Sequence, residues 1–191
     1  MPDQLDDLLK YARAIFQASQ APDIEERLRG IITLRELSRT SEAARDRLKE
    51  LIWADDGCIR FHAAEALSWT RSFPEEAVPV LCAVLSVCNE RGRIEADRIW
   101  AGVAIGALEH YGTEALPAEE EVWPYLYAQD DEALRRMAMR VVASLAPVSN
   151  ASWTIMCLLC RHEEPTVREQ AKSIMHSDAF AERFACEDQP E

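Results

Sequence analysis

The sequence predicts an all-α fold in which helices stack into an array. Three observations support this prediction. One sequence frame recurs five times, apolar residues follow helical spacing in every copy, and turn-forming residues separate the copies. Recurrence of one frame at intervals of 33 to 38 residues is typical of stacked helical repeats, in which each copy packs only on its neighbours.

The frame is clearest in residues 56–67, where an acid, two free positions, an apolar residue and Arg precede small and apolar residues. Residues 131–142 and 164–175 fit it closely. Residues 23–34 and 94–105 fit it more loosely, and the last of these copies lacks the acid. The Arg residues of the five copies are Arg27, Arg60, Arg98, Arg135 and Arg168.

Each position of the frame has a physical role. The acid precedes the helix, where it can accept hydrogen bonds from free N–H groups and favours the positive end of the helix dipole. The apolar and small residues fall on one face of the helix, and the small ones let a neighbouring helix approach closely. We expect the Arg to lie at the edge of this face and to reach a carboxylate of the adjacent copy.

The frame resembles the second helix of HEAT repeats, D-x-x-V-R-x-x-A-x-x-A-L, from about Asp23 to Met175. The period is shorter than in eukaryotic HEAT repeats and nearer the ankyrin and TPR values, but the motifs of those two families are missing. The resemblance implies a right-handed α-solenoid of about five HEAT-like helix pairs. It also implies that the second helices line a concave face, which usually serves as a binding scaffold.

The chain is predicted to form a single HEAT-like repeat domain over residues 1–185, followed by an acidic tail at 186–191. The predicted repeats are residues 3–39, 41–70, 74–111, 115–146 and 149–176. Residues 177–185 are expected to cap the array, because a terminal repeat must seal the end of the core. Phe180 and Phe184, four residues apart, are suited to this role.

Capping and helix-opening residues set the boundaries of the predicted helices. Ser41 caps one helix, and Ser149 or Asn150 caps another. Pro74 opens a helix, because proline suits the first helical position, and Pro117 starts a further one. The predicted helices are 3–19, 23–38, 41–53, 59–69, 74–87, 95–110, 117–129, 131–145, 149–160 and 164–176.

The polar segment Cys88–Glu95 lengthens the interval between the second and third copies, and Gly92 breaks the helix there. We expect an exposed loop. A binding role for this loop is an alternative, because loops on repeat scaffolds often bind.

The net charge of −13 bears on the partner. Nucleic acid is not expected as a ligand, because phosphate binding needs a basic surface. A protein partner is expected, and a basic one would be attracted over a distance by this charge. The simpler explanation, which the composition favours, is an excess of acid that only keeps a small protein in solution.

Location is predicted from composition. No apolar run approaches the roughly 20 residues that a membrane span needs, and the acidic N-terminus lacks a signal-peptide pattern. The six cysteines lie in apolar helical patterns or near the C-terminus, which indicates buried thiols in a reducing compartment. We therefore expect a cytoplasmic protein that is a monomer or a weak homodimer.

Helical geometry predicts which side chains of the frame helices face the groove. Positions one and five after the Arg point away from the core, and positions two, eight and nine lie beside them. The third copy has no polar residue at these positions, so its helix is either buried or presents an adhesive surface. The predicted partner-binding residues are Phe61, Trp69, Ile99, Trp100, Val103 and Met137, flanked by Arg136 and Arg140.

Aromatic, Met and Arg side chains are enriched at binding hot spots, which favours a partner site in this groove. Two alternatives remain open. The patch could be a homodimer interface, or tight curvature of the array could bury these side chains.

The remaining candidates for a metal-binding or catalytic site are weak. Cys157, Cys160 and His162 have metal-like spacing, but a closed zinc site needs four ligands, so we expect thiols in the core and no metal or cofactor. The run 119–121 of three Glu residues fits the first turn of a helix, where it complements the dipole. The four His residues are scattered, and no phosphate loop or nucleophile elbow is present.

The sequence therefore predicts a non-enzymatic adaptor or scaffold that binds a protein through its second-helix face. An immunity or inhibitor protein that caps a basic toxin or enzyme is the main alternative. Enzymes with HEAT-like repeats, the alkylpurine DNA glycosylases and the phycobilin lyases, are a further class. The acidic charge disfavours the glycosylases, which are basic.

Overall fold

The computed structural model describes residues 21–90, 95–128 and 130–176, and these residues are all-helical, as predicted. The α-helices of this part of the chain are Ile24–Ser38 (α1), Glu42–Leu51 (α2), Gly57–Ser68 (α3), Pro74–Glu90 (α4), Glu95–Tyr111 (α5), Glu119–Val122 (α6), Glu132–Leu145 (α7), Asn150–Leu159 (α8) and Pro165–Met175 (α9). Short 3-10 helices, Gly112–Ala118 and Trp123–Tyr127, flank α6.

The chain divides into two compact units, Met1–Tyr111 and Gly112–Glu191. The single domain over 1–185 stays a prediction. The helix predicted at 3–19, the cap at 177–185 with Phe180 and Phe184, and the tail at 186–191 lie outside the described residues.

Acidic and hydroxyl side chains cap the helices as predicted. Asp56 accepts from the amides of Cys58 and Ile59 at 2.8 and 3.3 Å, and its carboxylate thereby fixes the start of α3. The other side-chain caps of this kind are Asp23, Ser41, Asp131 and Ser149. Glu164 makes no capping bond, and α9 opens with Pro165 instead.

The small and apolar frame positions form the core. The small residue three positions after the Arg is buried in all five copies, and so is the apolar residue seven positions after it. The small set is Gly30, Ala63, Ala101, Ala138 and Ala171, and the apolar set is Leu34, Leu67, Ile105, Val142 and Met175. The predicted core face of the frame helices is therefore confirmed at these positions.

Three of the frame Arg residues differ from the expectation. Arg27 meets it, since its Nη1 lies 3.7 Å from Asp56 Oδ2 in the next copy. Arg60 Nη1 instead donates to two backbone carbonyls of the turn before its own helix, at 2.8 Å each, and Arg168 does the same at 2.8 and 3.3 Å. Arg135, which is buried, donates to the carbonyl of Ala128 and to the next frame helix at Gln170 Oε1, at 3.3 and 3.1 Å. These guanidinium groups satisfy carbonyls that the turns leave open.

The frame helices of the first unit run side by side in the same direction. Helix α3 packs on both α1 and α5. Residues near the start of α3 contact residues near the start of α5, as Phe61 contacts Trp100. Residues near the ends of the two helices also contact each other, as Ser68 contacts His110. In the second unit α7 packs on α9 directly, with Gln170 bonded to both Glu132 and Arg135.

Two boundary predictions need correction. Helix α4 continues through the buried Cys88 to Glu90 and α5 begins at Glu95, so the prediction of a loop over Cys88–Glu95 is wrong at both of its ends, and residues 91–94, with Gly92, lie outside the described residues. The single helix predicted at 117–129 is a 3-10, α and 3-10 succession, because Pro117 and Pro124 have no N–H to donate.

The prediction that the cysteine thiols are buried also needs correction. Cys88 is buried, but the other described cysteines, Cys58, Cys82, Cys157 and Cys160, are partly exposed. Within 21–90, 95–128 and 130–176, no helix combines the length and apolar character needed to cross a bilayer.

Candidate functional site

Four large apolar side chains that the sequence assigns to the groove are exposed in the first unit. Trp69 at the end of α3 is 56% exposed, and Ile99 on α5 is 66% exposed. Trp100 and Val103, also on α5, are 38% and 37% exposed. We call Trp69, Ile99, Trp100 and Val103 the aromatic surface. Their exposure contradicts the alternative in which curvature buries them.

The predicted exposure of Phe61 is wrong. Its side chain is 2% exposed, and its ring meets the Trp100 ring edge-on with centroids 5.2 Å apart. Position one after the Arg faces outward from α3, but Trp100 of the neighbouring helix covers it. Phe61 therefore supports Trp100 from below and is not itself available to a partner.

His62 completes this ring cluster. Its ring centroid lies 5.3 Å from that of Phe61 and 5.5 Å from that of Trp100. Burial lowers the pKa of His62; Glu65 acts in the opposite direction and Arg35 in the same direction as burial. The lowered pKa keeps His62 neutral at pH 7, so the cluster beneath Trp100 carries no charge.

Polar contacts on three sides hold the exposed Trp69 in place. Its indole Nε1 donates to Glu65 Oε1 at 2.8 Å, and its ring lies against His110 with centroids 4.7 Å apart. The Arg35 guanidinium lies 5.3 Å from the ring centroid and donates to the same Glu65 oxygen at 3.2 Å. The orientation of this indole is thus fixed before any partner arrives.

His110 has a partner that its position in the sequence did not reveal. Its Nδ1 lies 3.2 Å from Ser68 Oγ. Ser68 is fully buried and its hydroxyl donates to the carbonyl of Glu65 at 2.7 Å, so this pair braces α3 against α5 and does not present a nucleophile. The spacing of 42 residues exceeds the 38-residue interval between these two copies, so the repeat pattern gave no signal for this contact.

The other predicted site residues belong to the second unit. Arg136 and Arg140 are exposed on α7, one turn apart, and Met137 beside them is half-buried. Their exposure fits the outward positions of the frame. That they extend the aromatic surface stays a prediction.

The candidate metal and acidic sites remain weak. Burial, and then Cys157, raise the pKa of Cys160, which disfavours the thiolate that a metal would need. Across the described residues no group of three or more His, Cys, Asp or Glu is placed to hold a metal ion. Glu119 lies in the first turn of α6, as predicted, and also accepts from the Ser149 and Ser152 hydroxyls at the start of α8.

The chain matches no model of a known protein family, and comparison with curated proteins found no similar sequence. Its function is therefore argued from the site itself, because a helical fold alone hosts many functions.

Proposed function

We propose that the chain is a HEAT-like, right-handed α-solenoid of about five helix pairs that acts as a non-enzymatic protein-interaction module in the cytoplasm. Two observations support the architecture. The frame recurs five times at intervals of 33 to 38 residues. Frame helices also pack directly on one another within each unit, α1 on α3, α3 on α5, and α7 on α9.

The aromatic surface is the proposed binding site, and its exposure is the observation that carries the proposal. Two Trp and two β-branched side chains are exposed on the outward face of α5 and the end of α3. Leaving such side chains in water forgoes the roughly 25 cal/mol per Å² that their burial would contribute. A partner that covers them recovers this free energy, and Trp is among the residues that dominate binding interfaces.

The fixed geometry of Trp69 strengthens the proposal. Ordering a mobile side chain at an interface costs about 0.5–1.5 kcal/mol. Glu65, His110 and Arg35 already hold the Trp69 ring, so most of this cost is met in the free protein. Trp100 is similarly supported by Phe61 and His62.

Charge defines the kind of partner. A net charge of −13 attracts a basic protein and raises its association rate, while it repels nucleic acid. We therefore propose a basic protein partner for an adaptor or scaffold. An inhibitor that caps a basic toxin or enzyme uses the same charge and surface, and it would form a tight one-to-one complex where an adaptor binds several partners more weakly.

Affinity capture from the source cell's lysate tests the proposal. Ile99→Glu places a charge in the aromatic surface without disturbing Phe61, which Trp100 covers. Leu158→Glu is the matched control, because Leu158 on α8 is 63% exposed, close to the 66% of Ile99. We expect one or more basic partners with the wild type and with Leu158→Glu, and loss of at least tenfold in their recovery with Ile99→Glu. Equal recovery with both variants would place the binding site elsewhere.

A further inference from the structure

The first unit contains a cleft of about 1080 Å³ beside α4 and α5. The end of α2, the turn into α3 and the outer face of α4 form its walls. Trp100 is the one residue of the aromatic surface that also lines this cleft. Its volume is at the upper end of the range for clefts that hold small ligands or short peptide segments.

Asp97 lines this cleft at a position where the frame calls for an apolar side chain. The residue before the frame Arg is Ile59 in α3, Leu134 in α7 and Val167 in α9, whereas α1 has the partly exposed Glu26. In α5 it is Asp97, which is 9% exposed; its Oδ2 is covered by the protein and has no hydrogen-bond partner among the described residues. A buried carboxylate without a partner is unfavourable, and a cation that donates to Asp97 from the cleft would offset this cost.

The charged side chains around the cleft favour a cation. Asp55, Glu75 and Glu76 line it together with Asp97, and Arg60 is the basic residue among the described residues of the lining. Two of these charges are already engaged, since Glu76 pairs with Lys49 Nζ at 2.6 Å and Arg60 Nη1 donates to the carbonyls of Ala54 and Asp55 at 2.8 Å each. Asp55, Glu75 and Asp97 still leave the described lining negative.

The uncharged lining fits an alkyl chain that ends in a planar cation. Trp100 and the 73% exposed Trp53 offer aromatic faces, on which a guanidinium stacks well. Aliphatic side chains of α4 supply an apolar wall for a methylene stem. They are Pro79, Val80, Val84 and Val87.

We propose that this cleft binds an arginine side chain of a basic polypeptide, with the guanidinium donating to the Asp97 carboxylate. Arginine suits the site better than lysine because its planar guanidinium stacks on Trp while it donates to a carboxylate. The cleft exceeds the volume of one side chain, so neighbouring residues of the bound segment lie along the α4 wall. The proposal does not depend on the aromatic surface being a partner site.

A peptide titration tests the proposal. The probe is acetyl-Ala-Arg-Ala-Arg-Ala-amide, and the matched peptide carries citrulline in place of both arginines, which keeps the shape and removes the charge. Binding is followed by tryptophan fluorescence and by calorimetry on the full chain. We expect the arginine peptide to bind at least tenfold more tightly than the citrulline peptide. Equal affinity for the two peptides, or binding of neither, would overturn the proposal.

Variants locate the site. Asp97→Asn should weaken arginine-peptide binding at least tenfold, whereas Glu75→Gln at the exposed rim should change it about twofold. Ile99→Glu should leave it unchanged, which separates this cleft from the aromatic surface. An Asp97→Asn variant that binds like the wild type would contradict the assignment. So would spermidine binding more tightly than the peptide, because it would assign the cleft to small polyamines.

The thermal stability of the free protein provides a second readout. Asp97→Asn should raise Tm, because the amide carries no charge that needs a partner. A lower Tm for Asp97→Asn would overturn the proposal, because it would show that a group of the chain itself already pairs with this carboxylate. Arg91 and Arg93, which lie outside the described residues, are the nearest arginines in sequence on its N-terminal side.

Discussion

Helices α5 and α9 share one frame but present different surfaces. One position after the Arg, α5 has Ile99 where α9 has Glu169, and five positions after it α5 has Val103 where α9 has Ser173. All four side chains are exposed. Since α9 packs with polar residues at these positions, the apolar residues of α5 are not required for packing. The frame fixes how a helix packs, while the outward positions are free to serve a function.

The largest effect is expected at the buried frame positions, which α5 and α9 have in common. Ala101 in α5 and Ala171 in α9 occupy the same buried frame position. Replacing either with Leu should lower the free energy of unfolding by about 1–3 kcal/mol, because added methylenes overpack a close helix contact. Urea unfolding followed by circular dichroism measures the loss. Tolerance of Leu at one position but not the other would show that the two helices do not share a packing role.

Replacing the frame Arg should lower the free energy of unfolding by a smaller amount, and by a similar amount in different copies. Arg60→Met and Arg168→Met each remove hydrogen bonds to two carbonyls, and we expect a loss of about 1 kcal/mol in each case. The side chain of Arg29 is 68% exposed, so Arg29→Met is the matched control and should change the urea midpoint little. Unchanged stability in both frame variants would remove the structural role assigned to this Arg.

The pH dependence of stability should depend on His62, which lies beneath Trp100 of α5. Burial lowers its pKa in the folded protein, so the unfolded chain binds a proton first as the pH falls below about 6.5. Stability contributed by His62 is therefore complete above that pH and declines below it. The urea midpoint should fall less between pH 7.5 and 5.5 in His62→Gln than in the wild type.

If His62→Gln retains the pH dependence of the wild type, burial of the His62 ring under Trp100 is contradicted.

The outward positions should affect stability least. Ile99→Glu and Glu169→Ile exchange the surface chemistry of α5 and α9, and each should change the free energy of unfolding by less than about 0.5 kcal/mol. Differential scanning fluorimetry checks this. A large loss from Ile99→Glu would mean that Ile99 stabilises the fold, and its exposure would then need no partner.

Much of the local structure could be predicted from the sequence because its causes are local. The caps at Asp56 and Asp131 and the buried Ala101 and Ala171 follow from spacing within one helix. The predicted single helix at 117–129 is interrupted by 3-10 segments because Pro117 and Pro124 lie close together in sequence. The hydrophobic periodicity does not show this effect.

The candidate site was less predictable because its contacts join different helices. A single helix places Phe61 on the outside, and only the neighbouring helix shows that Trp100 covers it. The support that His110 gives to Trp69, and the cleft around Asp97, likewise form between elements far apart in sequence. Asp97 carried only a partial local signal, since an acid replaces the apolar residue of its frame position but Glu26 does the same in the first copy.

The central claim is that the aromatic surface contacts the partner, and hydroxyl-radical footprinting of the purified complex tests it most directly. The method reports the solvent exposure of individual side chains, so Trp69 and Ile99 can be compared with Leu158, which is similarly exposed in the second unit. We predict that Trp69 and Ile99 lose reactivity in the complex while Leu158 keeps it. Unchanged reactivity of Trp69 and Ile99 in a saturated complex would contradict the claim.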